Sequence, residues 1–593
     1  MHYFKKLFEY SRPYLPLNVL GLVIALGSIG TGVVLPIVTR TIVDDVLQAQ
    51  QFDKLGPLIT LLLVLAFLRL ILIYSRLYIY EYTSQRVVYD IRRDLFAKIQ
   101  SQSFKFFDKQ RTGLLMNRIV GDLNSIQHVL NSGLVQLFES IVTLIVTFSM
   151  MFYLNIPLTI ALCFVLPFLY INTRSMSKYL RPTFRSIRES FENLTSTVQE
   201  NITGIQVVKS FGREETEIEQ FTEVAQEYTD RHIKAADIRA KYVPFGRFIN
   251  GVGLTVIIFV GGYLIINHGM TVGTLVAFNA YLLQLNGPIN SLNGLVNQVE
   301  NAIASMEKVF ELLDEEPAIK DPEIPATIQK FNGHVKFNNV WFTYEKEPVL
   351  RNINLELRPG TVTAIMGDTG SGKSTIINLL ARFYDVDQGE ITIDGVNVKD
   401  YKLDALRKNI GIIMQDTFLF SDTIANNIAF ANPNATMDEI EHAAKIADAH
   451  DFIMATPDKY ETVIGERGIG LSGGQRQRIS IARAILSDPQ ILVLDDATSS
   501  VDMETEHAIQ QTLKEIMPGR TTLIVAHRIS TVKDADEIIF LENGAIVERG
   551  THQELMKLRG RYYKTVLQQY RDYYSYFDND QEQKTAQGGL MEQ

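Results

Sequence analysis

Residues 365–375 read IMGDTGSGKST, and the rest of the chain can be understood from this stretch. The residues before the glycines are apolar and β-branched, which predicts a strand, and those after them have the apolar spacing of a helix. A glycine-rich loop in that position folds its backbone N–H groups around phosphate oxygens, at the positive end of the helix dipole. The stretch therefore predicts a nucleotide site made by Gly367, Asp368, Thr369, Gly370, Ser371, Gly372, Lys373, Ser374 and Thr375, with Lys373 reaching the outer phosphates and Ser374 binding Mg²⁺.

Length and composition limit what kind of protein this is. A chain of 593 residues is too long for one hydrophobic core and predicts several domains. Its net charge of −10 argues against a nucleic-acid-binding protein. The single cysteine, Cys163, excludes an internal disulfide and a CxxC metal site.

The first half is far more apolar than the second. Six of its segments are apolar over the length that a bilayer crossing requires, about 20 residues each. So many apolar segments exceed what a soluble core contains, and we predict an all-α transmembrane domain over residues 1–311. The predicted spans are residues 17–40, 57–80, 133–154, 157–172, 243–267 and 272–295.

The segments that connect these spans differ in length and charge. Those after the first, third and fifth spans are short and nearly free of Lys and Arg, whereas residues 81–132 and 173–242 are long and basic. The positive-inside rule therefore predicts two cytoplasmic hairpins, cytoplasmic termini and a cytoplasmic nucleotide site, in a multi-pass protein of the cell membrane. Both hairpins keep a helical periodicity, with tips predicted near residues 106–113 and 205–212.

The sixth span carries amides on one helical face. Their steps of seven, four, three and four residues place them on one side of a helix. Amides that face lipid are costly, so this face is expected to meet other helices or a wet cavity. Two interpretations remain open, a substrate path and interhelical hydrogen bonding that holds the bundle together. The residues are Asn279, Asn286, Asn290, Asn293 and Asn297.

The second half has the pattern of a soluble domain. Residues 312–332 are acidic and rich in proline, which predicts a linker. Strands then alternate with helices over residues 333–572, the pattern of an α/β P-loop ATPase domain. Residues 573–593 are polar and repetitive, and we predict a disordered tail there.

Further motifs follow the phosphate loop at fixed places in this pattern. Tyr344 ends a predicted strand and is able to stack an adenine ring. Gln415 closes the predicted strand IGIIMQ, and His527 follows the predicted strand TTLIVA. Asp495 ends the apolar strand ILVLD, where a carboxylate suits Mg²⁺. The sequence LSGGQ opens a helix with small residues and unbonded N–H groups, a second phosphate site. Its residues are Leu471, Ser472, Gly473, Gly474 and Gln475.

This series of motifs, with SSVD at residues 499–502, resembles that of an ABC-transporter ATPase. Together with the six spans it resembles an ABC exporter half-transporter of the multidrug and lipid type. The resemblance implies a dimer that holds ATP and Mg²⁺ between the phosphate loop of one subunit and the LSGGQ of the other. It implies Mg²⁺ contacts from Ser374, Gln415 and Asp495, and catalytic roles for Asp496, His527 and Gln415. It also implies an interface loop of Ser499, Ser500, Val501 and Asp502, and contact of GERG at residues 465–468 with the hairpins.

One residue departs from the family pattern. The family has a glutamate as hydrolytic base directly after the strand-ending aspartate, whereas this chain has Asp496. A side chain one methylene shorter holds its carboxylate about 1 Å or more away from the attacking water, which can cost on the order of 100-fold in rate. The resemblance offers a reason, since heterodimeric exporters of this family pair such a weakened site with a full one, and we therefore predict a heterodimer. The alternative is a homodimer in which Asp496 is a slow base.

Other functional classes fit the sequence less well. An ATP-gated or regulatory membrane protein on the same frame stays an alternative, although no added regulatory domain is seen. A membrane-anchored ATPase needs one span rather than six. The transported substrate is not readable, because amphipathic drugs, lipids and peptides suit the polar face equally.

Overall fold

The computed structural model describes residues 2–267, 269–326, 331–465, 470–496 and 503–569, without the side chains at 132, 134, 166, 290, 292–297 and 503–505. The predicted tail at residues 573–593 lies outside these ranges. The chain forms two compact units. The first contains Met1–Ser101 and Gln110–Glu315, and the second contains Gln102–Lys109 and Glu316–Gln593.

The described residues of the first unit are almost entirely helical. Short π-helical turns at Ile42–Gln48, Arg118–Asp122 and Val129–Gly133 interrupt its helices. Helix α4 (Phe104–Lys109) belongs to the second unit but keeps its number in chain order. The helices are α1 (His2–Ser11), α2 (Leu15–Thr41), α3 (Leu55–Gln100), α4 (Phe104–Lys109), α5 (Thr112–Asn117), α6 (Leu123–His128), α7 (Leu134–Leu154), α8 (Ile156–Cys163), α9 (Leu166–Thr203), α10 (Ile205–Phe211), α11 (Glu214–Ile266) and α12 (Val272–Asp314).

Five helical stretches among the described residues are long and apolar enough to cross a membrane: His2–Gln48, Phe52–Gln100, Thr112–Leu154, Ile156–Thr203 and Glu214–Ile266. They contain the first five predicted spans. The sixth predicted span lies in α12, which is not among these stretches because amide side chains lower its apolarity, and it stays a prediction. The fourth stretch, Ile156–Thr203, is not one straight helix, since a turn separates α8 from α9.

Several helices continue far beyond the length of a membrane span. The helices α3, α9 and α11 contain 46, 38 and 53 residues. At about 1.5 Å per residue, even the shortest is longer than the roughly 30 Å of a hydrocarbon core. Short helices, α4 and α10, lie at the two predicted hairpin tips. The long basic connections are therefore mainly extensions of the spanning helices.

Polar side chains inside the first unit contact neighbouring helices. The Arg69 guanidinium of α3 lies next to Gln284 of α12, and both lie against Gly32 of α2, since a methyl group there would be 3.3 Å from each. The Tyr281 hydroxyl of α12 donates to the Val33 carbonyl over 2.7 Å. That carbonyl lies next to the break that a proline makes in the hydrogen bonds of α2. Arg69 therefore faces protein.

The second unit contains two sheets. Strands β1 (Val335–Thr343), β2 (Pro348–Leu357), β4 (Gln388–Ile393) and β5 (Val396–Asn397) form an antiparallel sheet in the order β2-β1-β4-β5. The other strands form a sheet in the order β10-β9-β3-β8-β7-β6, parallel except for β10. They are β3 (Val362–Gly367), β6 (Ile410–Ile413), β7 (Ile491–Asp495), β8 (Thr521–Val525), β9 (Glu537–Glu542) and β10 (Ala545–Gly550).

Helices cover the larger sheet and complete two hydrophobic cores. One core lies between the two sheets and includes the inner face of α13, and the other packs α15, α16 and α18 on the opposite face. The parallel strands are buried on both faces, which is why they read as continuous apolar runs. The helices are α13 (Lys373–Leu380), α14 (Leu403–Lys408), α15 (Ile424–Ala429), α16 (Met437–Ile446), α17 (His450–Met454), α18 (Gly473–Leu486), α19 (Met503–Ile516), α20 (Ile529–Val532) and α21 (His552–Leu558).

Candidate nucleotide site

The predicted site residues of the second unit lie at one edge of the parallel sheet. Ile365 of β3 and Asp495 of β7 both pair with Val525 of β8, so the carboxyl ends of these strands are level. The phosphate loop leaves β3 at this edge, His527 follows β8, and Gln415 follows β6, the next strand along. Ligands of open α/β sheets bind at this edge.

Two glycines of the loop adopt backbone conformations that other residues avoid. Gly367 has a φ of 148° and packs against the Leu541 carbonyl, where a side chain would collide. Gly372 has a φ of 105°, and a Cβ there would lie 2.6 Å from Leu350 Cδ2. The loop therefore needs glycine at both positions, for its turn and for its close packing on the sheet.

Lys373 begins α13 and points back over the loop. Its Nζ donates to the carbonyls of Gly367 and Asp368, each at 2.8 Å, and the side chain is buried. Burial lowers the pKa of Lys373, although three nearby aspartates act in the opposite direction. An ammonium has three donors, so one further donor remains for a ligand oxygen. Such a buried cation suits phosphate binding.

Asp495 and Ser374 form an oxygen pair beside this lysine. The Ser374 hydroxyl hydrogen-bonds the Asp495 carboxylate. Burial raises the pKa of Asp495, and the neighbouring Asp496 carboxylate raises it further, while Ser374, Lys373 and His527 lower it. A hydroxyl and a carboxylate are hard oxygen ligands of the kind that Mg²⁺ takes. The residues therefore fit the metal that accompanies a nucleotide.

Asp496 lies next to Asp495 in an unusual conformation. It is buried, and its φ is 44°, in the left-handed region that Asp and Asn tolerate better than longer side chains. Its backbone N–H donates to the Val525 carbonyl at 2.7 Å. The Gln415 Nε2 donates to the Asp496 Oδ2 at 3.5 Å, so these two predicted catalytic residues are neighbours.

Tyr344 lies at the other side of the loop. Its hydroxyl donates to Thr375 Oγ1 and accepts from Asn378 Nδ2, both at 3.4 Å, and the side chain is 38% exposed. Its ring meets the Tyr384 ring edge-on at 5.1 Å. An exposed aromatic ring fixed to the start of α13 suits the predicted stacking of a base, which stays a prediction.

The sequence did not reveal that Tyr384 connects this tyrosine to α4. The Tyr384 hydroxyl donates to Asp108 Oδ2 at 2.6 Å, and Phe104 stacks on Phe383 at 4.3 Å. Burial and the hydrogen bond to Asp108 raise the pKa of Tyr384. A cavity of about 630 Å³ lies between α4 and Tyr344. Residues 276 positions apart give no local signal in a single sequence, so this contact needed the structure.

The LSGGQ stretch begins α18. Ser472 caps the helix by accepting from the Gln475 N–H at 3.2 Å, and Gln475 Oε1 accepts from the Ser472 N–H at 2.9 Å. This capping box leaves the N–H groups of Gly473 and Gly474 at the open end of the helix. The Thr417 hydroxyl donates to Gln477 Oε1 at 2.7 Å, so the loop that carries Gln415 contacts α18.

Other predicted site residues lie partly outside the described part of the chain. Asn279 and Asn286 of the polar face are half-buried on α12. The structure describes α12 at Asn290, Asn293 and Asn297 without their side chains. The predicted interface loop, residues 499–502, and most of GERG, residues 466–468, also lie outside the described residues.

Comparison with known proteins explains why these residues occur together. Residues 19–289 match the family described as ABC transporter transmembrane region, and residues 350–499 match the family described as ABC transporter. The uncharacterized ABC transporter ATP-binding protein YknU of Bacillus subtilis is 41% identical over 575 residues, which cover 96% of this chain and 98% of that protein. The chain belongs to the ABC transporter family.

Two further relatives of this ABC transporter narrow its type. The ATP-dependent lipid A-core flippase of Syntrophus aciditrophicus is 37% identical over 572 residues, 96% of this chain and 95% of that protein. A bacterial Atm1-family ABC exporter solved with ATP bound aligns with a TM-score of 0.77 and 29% identity, over 93% of this chain and 98% of that one. The transporter is thus a membrane-bound transport ATPase of the multidrug and lipid exporter type, from a half-transporter family that functions as dimers.

Proposed function

We propose that this chain is one half of a heterodimeric exporter and that its own phosphate loop holds ATP with little hydrolysis. The observation that carries the proposal is the aspartate at position 496. The cargo is an amphipathic small molecule, a lipid or a peptide. The names of relatives, a lipid A-core flippase and multidrug export proteins, support this cargo class without deciding within it.

The residues around the phosphate loop divide into three roles. Lys373 and the loop N–H groups bind the phosphates, and the Tyr344 ring stacks the base. Ser374 and Asp495, with Gln415, would hold Mg²⁺, which would supply charge neutralisation at the phosphates. His527 completes the site from the end of β8.

Asp496 is short for a hydrolytic base. The backbone N–H of Asp496 is bonded to the Val525 carbonyl, and its buried carboxylate accepts from Gln415 Nε2, so the side chain has little freedom to move toward a water. The missing methylene of a glutamate would cost on the order of 100-fold in rate. This site then retains its ATP while the opposite site turns over.

The LSGGQ stretch at residues 471–475, which we call the signature loop, is complete in this chain. Ser472, Gly473 and Gly474 form the capped start of α18, with N–H groups at the positive end of the helix. The loop is therefore able to complete the partner's site. ATP binding across both sites would favour the closed dimer, and differential affinity for that state drives the change between inward- and outward-facing forms.

The helix α4 transmits this change. It packs on Phe383 and Tyr384, which lie just after the helix of the phosphate loop. In this proposal the hairpins, both termini and the ATPase unit are cytoplasmic, as the charge of the connections indicates. The Asn face of α12, including Asn279 and Asn286, lines the substrate path.

The turnover of the chain purified alone tests the heterodimer. We expect ATP hydrolysis near background in proteoliposomes, because two Asp496 sites would face each other. An Asp496→Glu variant should raise the rate by up to about 100-fold if side-chain length is the only defect. Turnover well above background by the unmodified chain would contradict the heterodimer and favour a homodimer in which Asp496 is the base.

Alanine replacement of Asn279 and Asn286 tests the substrate path. We expect the response of ATP hydrolysis to added substrate to change while basal hydrolysis and thermal stability stay as they are. If the substrate response were unaltered, the amides would be bundle-stabilising groups.

An exporter also differs from an ATP-gated channel because it moves its cargo against a concentration gradient. Accumulation of a dye in inverted vesicles measures that movement.

A further inference from the structure

The loop that carries His527 is held by a residue far along the chain. Gln569 contacts this loop with both polar atoms of its side-chain amide. Its Nε2 donates to the His527 carbonyl at 2.6 Å, and its Oε1 accepts from the Ile529 N–H at 3.0 Å. These partners fix the orientation of the amide, because the reverse orientation would place its oxygen against a carbonyl. The two bonds therefore hold the peptide groups on both sides of Arg528.

The start of α20 needs this support from outside the loop. The helix begins at Ile529, and Arg528 before it makes no capping side-chain hydrogen bond, since a guanidinium has no acceptor atom. Arg528 pairs instead with the Glu506 carboxylate. A helix start needs acceptors for its N–H groups, and Gln569 supplies one from 40 positions away. The conformation of the loop after His527 thus depends on a side chain outside it.

Gln569 belongs to residues 561–569, which we call the clamp segment. The segment is helical, and Tyr562, Val566 and Gln569 follow one another at steps of four and three residues, which places them on one face. Tyr562 and Val566 are buried in the same hydrophobic core as Ile529 of α20. The packing of this face therefore brings the Gln569 amide to the loop.

The start of the clamp segment is fixed on β10. The Tyr562 N–H donates to Glu548 Oε2 at 3.0 Å, and the Arg561 N–H donates to Glu548 Oε1. A carboxylate at a helix start also meets the positive end of the helix dipole. The Tyr562 hydroxyl hydrogen-bonds His552 Nδ1 at 2.7 Å. The segment is thus held at its start by β10 and along one face by the core, so Gln569 has a defined position.

His527 lies at the edge of the sheet that carries the phosphate loop. Burial raises the pKa of Asp495, and His527 is near enough to that carboxyl to act in the opposite direction. The Ala526 N–H, just before the histidine, donates at 3.3 Å to the Ile365 carbonyl of the strand that leads into the phosphate loop. An imidazole N–H is a donor for a phosphate oxygen. The direction of the His527 ring depends on its backbone, which Gln569 holds.

We propose that Gln569 is a positioning residue for His527 and that the clamp segment therefore sets how well this site distinguishes ATP from ADP. ADP lacks the outermost phosphate, so a contact from His527 to that phosphate favours ATP alone. Loss of the two Gln569 bonds frees the backbone after His527 and weakens this contact, while the phosphate loop itself is untouched. The inference rests on the proposed function in one respect, that His527 completes the nucleotide site.

Competition binding on the full chain tests this role. ADP and a non-hydrolysable ATP analogue each displace a fluorescent ADP analogue in the presence of Mg²⁺, and the ratio of their two affinities is the measured quantity. Gln569→Met keeps the packing volume and removes both bonds. We expect it to lower the ratio about fivefold and to change ADP affinity less than about twofold. The matched control is Gln568→Met at the exposed neighbouring position, which should leave the ratio unchanged.

A double-mutant cycle separates positioning from a purely structural role. His527→Ala should lower the ratio about tenfold, because a hydrogen bond to a charged group is lost. In the His527→Ala background, Gln569→Met should change the ratio less than about twofold, because its effect passes through His527. A Gln569→Met variant that loses thermal stability but keeps its ratio would overturn the proposal, since Gln569 would then only cap α20. So would an equal effect of Gln569→Met in both backgrounds.

These outcomes are separable from those of the proposed function. The binding measurement involves no hydrolysis, so ATP turnover by the lone chain would contradict the heterodimer and leave the role of Gln569 standing. If His527→Ala left the ratio unchanged, the place of His527 in the proposed function would fail together with this inference. If His527→Ala lowered the ratio and Gln569→Met did not, this inference alone would fail.

Discussion

Removing one hydroxyl, in Tyr384→Phe, tests the proposal that α4 transmits the change that ATP binding causes in the second unit. The variant keeps the ring that meets Tyr344 and loses the hydrogen bond to Asp108 of α4, which is 2.6 Å long. A hydrogen bond to a charged group contributes about 1.5–3 kcal/mol when it is buried. Asp108 is exposed, so water competes for its carboxylate, and we take about 1 kcal/mol as the contribution of this hydrogen bond.

A loss of about 1 kcal/mol corresponds to roughly a fivefold shift in an equilibrium. We therefore expect the number of dye molecules transported per ATP hydrolysed to fall up to about fivefold. The assay is accumulation of a fluorescent lipophilic dye in inverted vesicles, with ATP hydrolysis followed in the same sample. Hydrolysis itself should change less than about twofold, because the phosphate loop is untouched.

The matched control is Tyr401→Phe in the same unit. The Tyr401 hydroxyl donates to the Ile393 carbonyl at 2.8 Å, inside the antiparallel sheet and away from α4. That variant should lose stability and keep its coupling ratio. An unchanged ratio in Tyr384→Phe, or an equal fall in Tyr401→Phe, would refute the role of α4 contacts in transmission.

Three further substitutions test the site and the bundle. Gly372→Ala should lower ATP affinity, measured with a fluorescent ATP analogue, because its φ of 105° and the nearby Leu350 side chain resist a Cβ at about 1–3 kcal/mol. Ser374→Ala should raise the Mg²⁺ concentration for half-maximal binding of the fluorescent ATP analogue to this chain about tenfold, and an unchanged Mg²⁺ dependence of that binding would contradict its metal role. Asp44→Asn should destabilise the first unit by about 1–2 kcal/mol in thermal unfolding, since its carboxylate holds the N-terminus of α12, whereas Asp45→Asn next to it should cost under about 0.5 kcal/mol.

Local motifs explain why the conformation of the phosphate loop was predictable. A phosphate loop needs glycines with particular φ values beside a strand and a helix, and that need is written in consecutive residues such as Gly367 and Gly372. The strand ends that carry Gln415, Asp495 and His527 were predictable for a related reason. Parallel strands of this topology bring their carboxyl ends to one edge.

Contacts between distant parts of the chain were not predictable. The pairing of Tyr384 with Asp108 depends on how α4 packs within the second unit, which no spacing in one sequence encodes. The bond from Gln569 to the His527 carbonyl likewise joins residues 42 positions apart. The turn between α8 and α9 was also missed, because hydropathy reports the apolarity of residues 157–172 and not the helix geometry.

The most direct test compares two variants in the transporter assembled with its partner. Ser472→Ala alters the signature loop that completes the partner's site, and Asp496→Asn removes the carboxylate beside this chain's own phosphate loop. We expect Ser472→Ala to reduce ATP hydrolysis by on the order of 100-fold and Asp496→Asn to reduce it less than about twofold. Loss of hydrolysis in Asp496→Asn with activity retained in Ser472→Ala would contradict the account.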